Sequence, residues 1–430
     1  MAAKNSKYSL RSTFIGLSSF QLLAMFRRGM FYTYLSIYMR DFLLLSVTET
    51  TLYATLPMIM SVVFQNFVWG PLSDKFQRRR TLIILGEILA GIGTITVWFV
   101  HSIFSSLLLA GYVIIIGLMC IEAFWSMSNI SWSALISDIY PSKDRSKVMG
   151  QLTSVGGFGR IIGISIGGIL YNYGYGFRDG PLFFVAALVM FASSIPMIFA
   201  PEGGIKSEIE KIEEENNNNY THNYNFKVIF TVFIISLTFI NFGRNSIATI
   251  YSQYLTLETG FAVDSILLSF IANTRSLAVL TIGFLAGTLS KKFGHSRTLI
   301  LGVSLAIFAL LITGLTDNLI LIFIGSFFIG TGEVIIYAAS YVIASNLIPS
   351  KIRAKLFGVY NTTFFLSWGL ACTIISGPLI DFLLNTGFEE VFSYQVAFIV
   401  GALITGIGLI IFLVLEIWLK PKSLKEKKNY

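Results

Sequence analysis

Long apolar segments alternate with short polar turns along the whole chain. A membrane-spanning helix needs about 20 mainly apolar residues, and twelve segments have that character, centred near residues 26, 59, 90, 121, 159, 189, 241, 276, 306, 333, 367 and 404. The one long polar stretch, residues 201–226, is rich in Glu and Asn. The pattern predicts an all-α membrane protein with an N-terminal six-helix bundle (1–200), a cytoplasmic linker (201–226) and a C-terminal six-helix bundle (227–430).

Composition and charge support a membrane location. The chain has 430 residues, of which 54% are hydrophobic and 13% charged, too few polar residues to cover a soluble globule of that size. A net charge of +8 would suggest nucleic acid in a soluble protein, but Lys and Arg concentrate in every second loop. Such a bias marks the cytoplasmic side. We therefore expect both termini in the cytoplasm, and no nucleic-acid partner.

The two halves repeat each other. Residues 70–83 and 287–300 are identical at nine of fourteen positions, with a constant offset of 217. Residues 141–150 and 349–358 agree at six of ten positions. Internal repeats of this kind predict two structurally related halves with the binding site between them.

The repeated loops resemble a known family. A Gly-x-Leu-x-Asp-Lys/Arg-x-Gly-Arg-Arg/Lys loop after the second helix, followed by Asp-x-x-Pro-x-x-x-Arg after the fourth, is similar to the major facilitator superfamily (MFS) of secondary transporters. The likeness covers nearly the whole chain, and it is specific for the fold rather than for the substrate. It implies twelve transmembrane helices in two pseudo-symmetric six-helix bundles that work by alternating access.

The resemblance also implies a gate at the cytoplasmic surface, because acidic and basic residues of this loop are thought to latch it in the family. Gating positions carried over to this chain, including the second repeat, are Gly70, Asp74, Arg78, Arg80, Asp138, Arg145, Gly287, Arg297 and Arg353. This chain departs from the family at Gln77, where glycine is usual, and at Lys291, where an acid would stand. The alternative is that these charges serve membrane topology alone.

Ionisable residues inside apolar segments are the candidates for transport chemistry, because burying them in a membrane is costly. Seven were identified: Arg27, Arg28, Glu122, Arg160, Arg244, Arg275 and Glu333. For six of them, all except Arg27, counting from loop markers at 1.5 Å per residue gives depths of roughly 23–26 Å, close to the midplane. Transporters built from repeats hold their substrate at that level.

Arginines on helices 1 and 7 suggest the substrate class. Phe26–Arg28 and Phe242–Arg244 match at an offset of 216, and this pair resembles the phosphate-gripping arginines of organophosphate/phosphate antiporters. Arg27 is about 100° away from Arg28 around the helix, so the repeat favours Arg28. Five arginines against two glutamates predict an organic anion, a carboxylate or phosphate ester. The predicted substrate-binding residues are Arg28, Arg244, Arg160, Glu122, Arg275, Tyr32, Trp125 and Asn241.

Other interpretations of the same charges stay open. The arginines would be structural if each neutralised a buried glutamate, with Glu122 and Arg160 as the first such pair. An acid–base pair on helices 4 and 5 also resembles the sugar-binding residues of lactose-permease-like symporters. Glu333 is the candidate proton carrier, with Glu122 the second, since removal from water favours the neutral form of a carboxyl group. Alternatively, Glu333 pairs with Arg275 or Arg244.

Several function classes compete. The leading one is a secondary transporter of an organic anion, a symporter or antiporter that couples to protons; a multidrug exporter and a sugar:proton symporter are the alternatives. The chain has no Walker-type glycine loop or His-Glu-x-x-His motif, so we expect neither an enzyme nor an ATP-driven pump. We expect no metal site and no cofactor beyond an ion gradient, and a monomer in the cell membrane.

Overall fold

A computed structural model describes residues 10–140, 142–203, 225–348 and 353–418. All regular structure in these ranges is helical. The first half contains α1 (Leu10–Ile37), α2 (Val47–Phe64), α3 (Gly70–Phe76), α4 (Arg79–Ile103), α5 (Leu107–Ile139), α6 (Ser142–Tyr171), α7 (Tyr175–Arg178) and α8 (Pro181–Met197). The second contains α9 (Asn225–Asn245), α10 (Tyr251–Thr256), α11 (Ser265–Phe293), α12 (His295–Leu315), α13 (Leu319–Leu347), α14 (Arg353–Ala371), α15 (Gly377–Asn385) and α16 (Glu390–Trp418).

Every predicted segment centre lies inside one of these helices. Ten helical stretches in the described ranges are long and apolar enough to cross a membrane. Three of the helices named above fall outside that group: α10 has only six residues, α8 has 17 residues, and α1 has 28 residues, among them Arg27 and Arg28. The predicted all-helical membrane class is therefore confirmed.

The helix boundaries follow from local chemistry. Ser106 caps α5 by accepting a hydrogen bond from the Leu109 N–H, and Asn318 caps α13 by accepting one from the Ile320 N–H at 2.8 Å. Such side chains satisfy N–H groups that the first helical turn leaves unpaired. Proline stands in the first turn of α3, α8 and α15. The N–H groups of a first turn have no partner within the helix, so the missing N–H of proline costs no hydrogen bond there. π-helical turns follow α1, α2 and α14 at Tyr38–Phe42, Gln65–Trp69 and Cys372–Ser376.

The helices form two compact units. Among the described residues, the first unit holds those up to Ser46, residues 52–203, and Val263–Ser276. The second holds Val47–Thr51, α9 and α10 up to Ala262, and everything described from Leu277 onwards. A five-residue piece of the first half and a fourteen-residue piece of the second thus each belong to the other half's unit.

Packing of α1 against α6 positions the arginines of α1 in the first unit. A Cβ at Gly163 would overlap the carbonyl oxygen of Phe26, and one at Gly159 would overlap that of Leu22. Glycines four residues apart on α6 therefore let the two backbones touch, as in other membrane helix pairs. The carbonyl of Arg160 in turn lies against Gly29, which fixes the level of Arg28 relative to α6.

Candidate functional site

Two consecutive arginines of α1 lie on the face of one tryptophan. The guanidinium carbon of Arg28 is 4.7 Å from the centre of the Trp125 ring, and that of Arg27 is 5.3 Å from it. Both distances are within the range of cation–π attraction. The 100° separation of the two Cα–Cβ directions had favoured Arg28 alone. Long, flexible side chains instead bring both charges to the same ring.

Two buried carboxylates complete this cluster. Glu122 lies on α5, one turn before Trp125, and Glu87 lies on α4; their exposed fractions are 8% and 1%. Arg28 is the cation that interacts most strongly with Glu122, followed by Arg27, and Arg27 is the one that interacts most strongly with Glu87. Two acids therefore balance two bases in a buried site, which is how proteins reduce the cost of burying charge.

Hydroxyl groups hold the carboxylates in place. The Ser128 hydroxyl donates to Glu87 Oε1 at 2.8 Å, and the Ser193 hydroxyl donates to Oε2 at 3.2 Å. Ser61 of α2 lies beside Glu122, and its hydroxyl accepts a hydrogen bond from the amide of Gln65 at 2.7 Å. Helices α2, α4, α5 and α8 thus all contribute to the setting of the two acids.

Aromatic side chains border the cluster. The Tyr32 ring stacks on the Tyr53 ring with centres 6.3 Å apart and planes 19° apart, and Tyr32 lies beside Arg27. Trp125 is 6% exposed. We name the group Arg27, Arg28, Glu87, Glu122, Trp125 and Tyr32 the α1 cluster.

The cluster changes two expectations. The arginines with the strongest electrostatic effect on Glu122 are Arg28 and Arg27. The pair of Glu122 and Arg160, which the sequence suggested, is therefore not the main interaction of Glu122. Glu87 was absent from the count of charges at bilayer depth. With Glu87 included, the count is five arginines and three glutamates. The excess of positive charge is smaller, and it favours an anionic substrate less strongly.

The second unit presents a related arrangement at Arg244. The Arg244 Nε–H donates to Asn241 Oδ1 at 3.0 Å, and the Asn241 amide donates to Thr363 Oγ1 at 3.2 Å. The guanidinium carbon of Arg244 is 5.9 Å from the centre of the Phe364 ring. Arg28 and Arg244, equivalent in the repeat, thus both lie over an aromatic ring. The α9 helix ends one residue after Arg244.

Other predicted transport residues are half-buried and distributed over both units. Arg160 on α6 and Arg275 on α11 belong to the first unit, and Glu333 on α13 belongs to the second. In the described ranges no group of three or more His, Cys, Asp or Glu side chains is placed to hold a metal ion.

The predicted gate contains an ion network centred on a residue that the motif comparison passed over. Arg79 is 7% exposed. Its guanidinium contacts Asp74 Oδ1 at 2.9 Å and Asp138 Oδ2 at 3.3 Å, and it also donates to the Ser73 hydroxyl. Arg79, the first residue of α4, therefore joins α3 to the end of α5.

Neighbouring basic residues behave differently. Arg78 is exposed. Arg80 Nε donates to Glu202 Oε2 at 3.1 Å, and the Thr81 N–H donates to Glu202 Oε1 at 3.0 Å. The first turn of α4 is thus closed by a carboxylate from the segment that follows α8. Arg297, the counterpart of Arg80, is exposed.

The remaining gate positions divide into two groups. A Cβ at Gly70 would lie 2.6 Å from the Gln65 carbonyl oxygen, whereas one at Gly287 would meet nothing within 4 Å among the described residues. The contact with a backbone carbonyl therefore requires glycine at position 70 of the first repeat, but no such contact with a residue that the structure describes requires it at position 287 of the second. The side chains of Arg145 and Arg353 lie outside the described part of the chain.

Sequence reasoning missed four residues: Arg79, Glu87, Glu202 and, as a full member of the cluster, Arg27. Glu87 interrupts an apolar run, the same signal that identified Glu122. No sequence signal distinguishes Arg79 from the arginines on either side, or directs Glu202 back to α4.

Comparison with known proteins gives the family. The Major Facilitator Superfamily model matches residues 17–242 and, in a second match, residues 233–430. Multidrug resistance protein 2 of Bacillus subtilis (strain 168) is 27% identical over 377 residues, which cover 83% of this chain and 81% of the relative. Multidrug resistance protein MdtG of Proteus mirabilis is 25% identical over 76% of this chain and 78% of its own. Quinolone resistance protein NorA of Staphylococcus aureus (strain MRSA252) is 25% identical over 73% of this chain and 76% of its own length.

Solved structures share the fold. A bacterial homologue of the human lysosomal transporter Spinster, in an inward-facing conformation, superposes with a TM-score of 0.70 at 16% identity and covers 97% of this chain and 99% of its own. The nucleoside transporter NupG has a TM-score of 0.69 at 13% identity, over 94% of this chain and 99% of its own. At such identities the likeness establishes the fold alone.

Proposed function

The chain belongs to the major facilitator superfamily, and we propose that it is a proton-coupled secondary transporter that exports amphipathic aromatic compounds. Members of this family are transporters and not enzymes. The observation that carries the proposal is the α1 cluster, in which two arginines lie on Trp125 beside two buried carboxylates. Intramembrane acids and bases of this kind serve ion and substrate pathways in transporters.

The chemistry of the cluster supports proton coupling. Glu122 attracts Arg28 only while it is ionised, so a proton on Glu122 would weaken that attraction and leave Arg28 on Trp125. Proton binding and the geometry of the cluster are therefore linked, as a coupled transporter requires. Glu87 is the second acid of the site, and Glu333 of the second unit remains a candidate proton carrier.

Aromatic compounds fit the surroundings of the cluster. The Trp125 face and the stacked Tyr32 and Tyr53 rings offer flat apolar surfaces next to charges, and such surfaces bind aromatic rings and organic cations. Relatives that match most of this chain are named for resistance to multiple drugs or to quinolones. Within the cluster the two acids cancel the two arginines, so it does not demand an anion.

An organic anion is the second candidate. Five arginines against three glutamates at bilayer depth leave an excess of two positive charges, and Arg28 and Arg244 are equivalent in the repeat. A carboxylate or phosphate ester would offset that excess.

We further propose a monomer in the cell membrane with both termini in the cytoplasm. Adding α1 and α8 to the ten apolar stretches gives twelve spans, arranged as two six-helix bundles that alternate access to the site. The contacts of Arg79 with Asp74 and Asp138 would then form the cytoplasmic latch, closed in one state and broken in the other.

Liposomes containing the purified full-length protein, with an imposed pH gradient, test the proposal. We expect gradient-driven movement of ethidium, a lipophilic aromatic cation, and its loss in Glu122→Gln and Glu87→Gln. Glu258→Gln is the matched control, because Glu258 is an exposed turn residue and the substitution removes the same charge.

Different outcomes separate the candidates. Movement of glycerol 3-phosphate but not ethidium, lost in Arg28→Gln, would replace the proposal with the organic-anion candidate. Ethidium movement that ignores the pH gradient, or that is equal in Glu122→Gln and Glu258→Gln, would exclude proton coupling through this cluster.

A further inference from the structure

A cavity of about 490 Å³ lies at the first turn of α12, within the second unit. Its walls come from α9, α12, α13 and α16, and apolar side chains, among them Ile229, Ile343 and Phe412, cover much of them. This volume is in the range of sites for small molecules, which are mostly apolar with a few fixed polar groups. We name it the α12 cavity.

The polar groups of the cavity are unequal in their engagement. Arg297 lines it, and its guanidinium group makes no hydrogen bond or ion pair with any other residue that the structure describes. Glu416, the carboxylate among the lining residues, accepts a hydrogen bond from the Ser296 hydroxyl at 2.6 Å. His295 is held by the Ser290 hydroxyl at 2.6 Å from Nδ1.

The first repeat shows what the position of Arg297 can bind. Its counterpart, 217 residues earlier, is Arg80, and Arg80 Nε donates to a carboxylate oxygen of Glu202 at 3.1 Å. The same position of the repeat therefore already binds a carboxylate in this chain, where the group comes from the protein itself. In the second repeat the Thr298 N–H donates to the Gly294 carbonyl at 3.0 Å, so the guanidinium is the group left for a ligand.

We propose that the α12 cavity binds an amphipathic monocarboxylate, with its carboxylate on Arg297 and its apolar body against Ile229, Ile343 and Phe412. A guanidinium offers two parallel N–H donors to a carboxylate. Glu416 also lines the cavity and would repel a dianion about twice as strongly as a monoanion, which favours a ligand with a single negative charge. This site is distinct from the α1 cluster, which belongs to the first unit.

The test measures binding of radiolabelled octanoate to the full-length protein in lipid nanodiscs, with empty nanodiscs as the baseline. We expect saturable binding that weakens at least tenfold in Arg297→Gln and is unchanged in Lys291→Gln. Lys291 is exposed at the end of α11 and does not line the cavity, so the control removes an equal charge nearby. Arg297→Lys should retain part of the affinity.

Competitors and a second variant define the result further. Octanol has the apolar chain without the carboxylate, and acetate has the carboxylate without the chain, so each should compete weakly with octanoate. Arg28→Gln should leave octanoate binding unchanged. Equal octanoate binding in wild type and Arg297→Gln, no saturable binding at all, or loss of binding in Arg28→Gln would overturn the assignment. Acetate competing as well as octanoate would overturn the amphipathic part of it. None of these results depends on whether the protein transports aromatic compounds.

Discussion

The two loop–helix junctions of the repeat share their sequence but differ in how they are closed. In the first, Arg79 holds Asp74 and Asp138, and Glu202 holds Arg80 and the Thr81 N–H. In the second, serine and arginine stand at the corresponding positions 296 and 297, and the α12 cavity remains open beside them. Repetition of sequence thus conserved the helices while the polar contacts at their ends diverged.

Backbone conformation at the junctions shows the same divergence. Gln77, the residue directly after α3, has φ of 51° and ψ of 28°, and its counterpart Gly294 has φ of 87° and ψ of 145°. A side chain is strained at positive φ, which glycine adopts freely. The positive φ explains why the family usually has glycine at position 77. This chain keeps the positive φ although the residue is a glutamine.

Removing the centre of the first network should have the largest effect. We expect Arg79→Gln to lower the free energy of unfolding by about 2–3 kcal/mol, because breaking a buried ion pair leaves its partner uncompensated, although the exposure of Asp74 reduces the loss. Thermal unfolding of the purified protein measures it. Arg78→Gln, at an exposed neighbour, is the control, and an equal loss in both variants would contradict the special role of Arg79.

Adding a side chain at the second junction comes next. Gly294→Gln copies the first repeat, but into a conformation that side chains rarely adopt, so we expect a loss of about 2 kcal/mol in unfolding free energy. Gly287→Gln is the matched control, since Gly287 lies within α11 and a Cβ there meets nothing within 4 Å among the described residues. A Gly294→Gln protein as stable as Gly287→Gln would show that the junctions are interchangeable.

Opening the first junction should have a smaller effect. Glu202→Gln weakens the charge-assisted hydrogen bonds from Arg80 and Thr81, and we expect a loss of about 1–2 kcal/mol, towards the lower end because the pair is partly exposed. In the second repeat, Glu416→Gln should cost less than about 0.5 kcal/mol, since a glutamine still accepts from Ser296. The unfolding midpoints of the two variants measure this difference. Equal midpoints for Glu202→Gln and Glu416→Gln would contradict the proposed difference between the junctions.

Restoring the glycine of the family should give the smallest change. Gln77→Gly relieves a left-handed residue, worth about 1–2 kcal/mol, but adds flexibility to the unfolded chain. We expect a net gain of about 0.5 kcal/mol in unfolding free energy. Gln77→Ala, which keeps a Cβ, should give no gain, and a gain of equal size in both variants would point to the glutamine side chain instead of the backbone.

Part of the candidate site was accessible from the sequence. Arg28, Glu122, Trp125 and Tyr32 were predicted as site residues, and they lie together in the α1 cluster. Arg244 and Asn241 were predicted together and are hydrogen-bonded. These residues stand out because a charge within an apolar run has few places to lie except in a protein interior or beside an aqueous path.

The sequence by itself determined the helical segments, the membrane class, the repeat and the family, since hydrophobic length and local motifs are properties of contiguous residues. Only the tertiary structure decided that Glu87 joins Glu122 beside the arginines, that Arg79 and not Arg78 holds Asp138, and that Glu202 returns to α4. The reason is that ion-pair partners depend on helix rotation and on side chains several ångströms long. Adjacent arginines in one turn therefore reach different partners, and only packing selects among them.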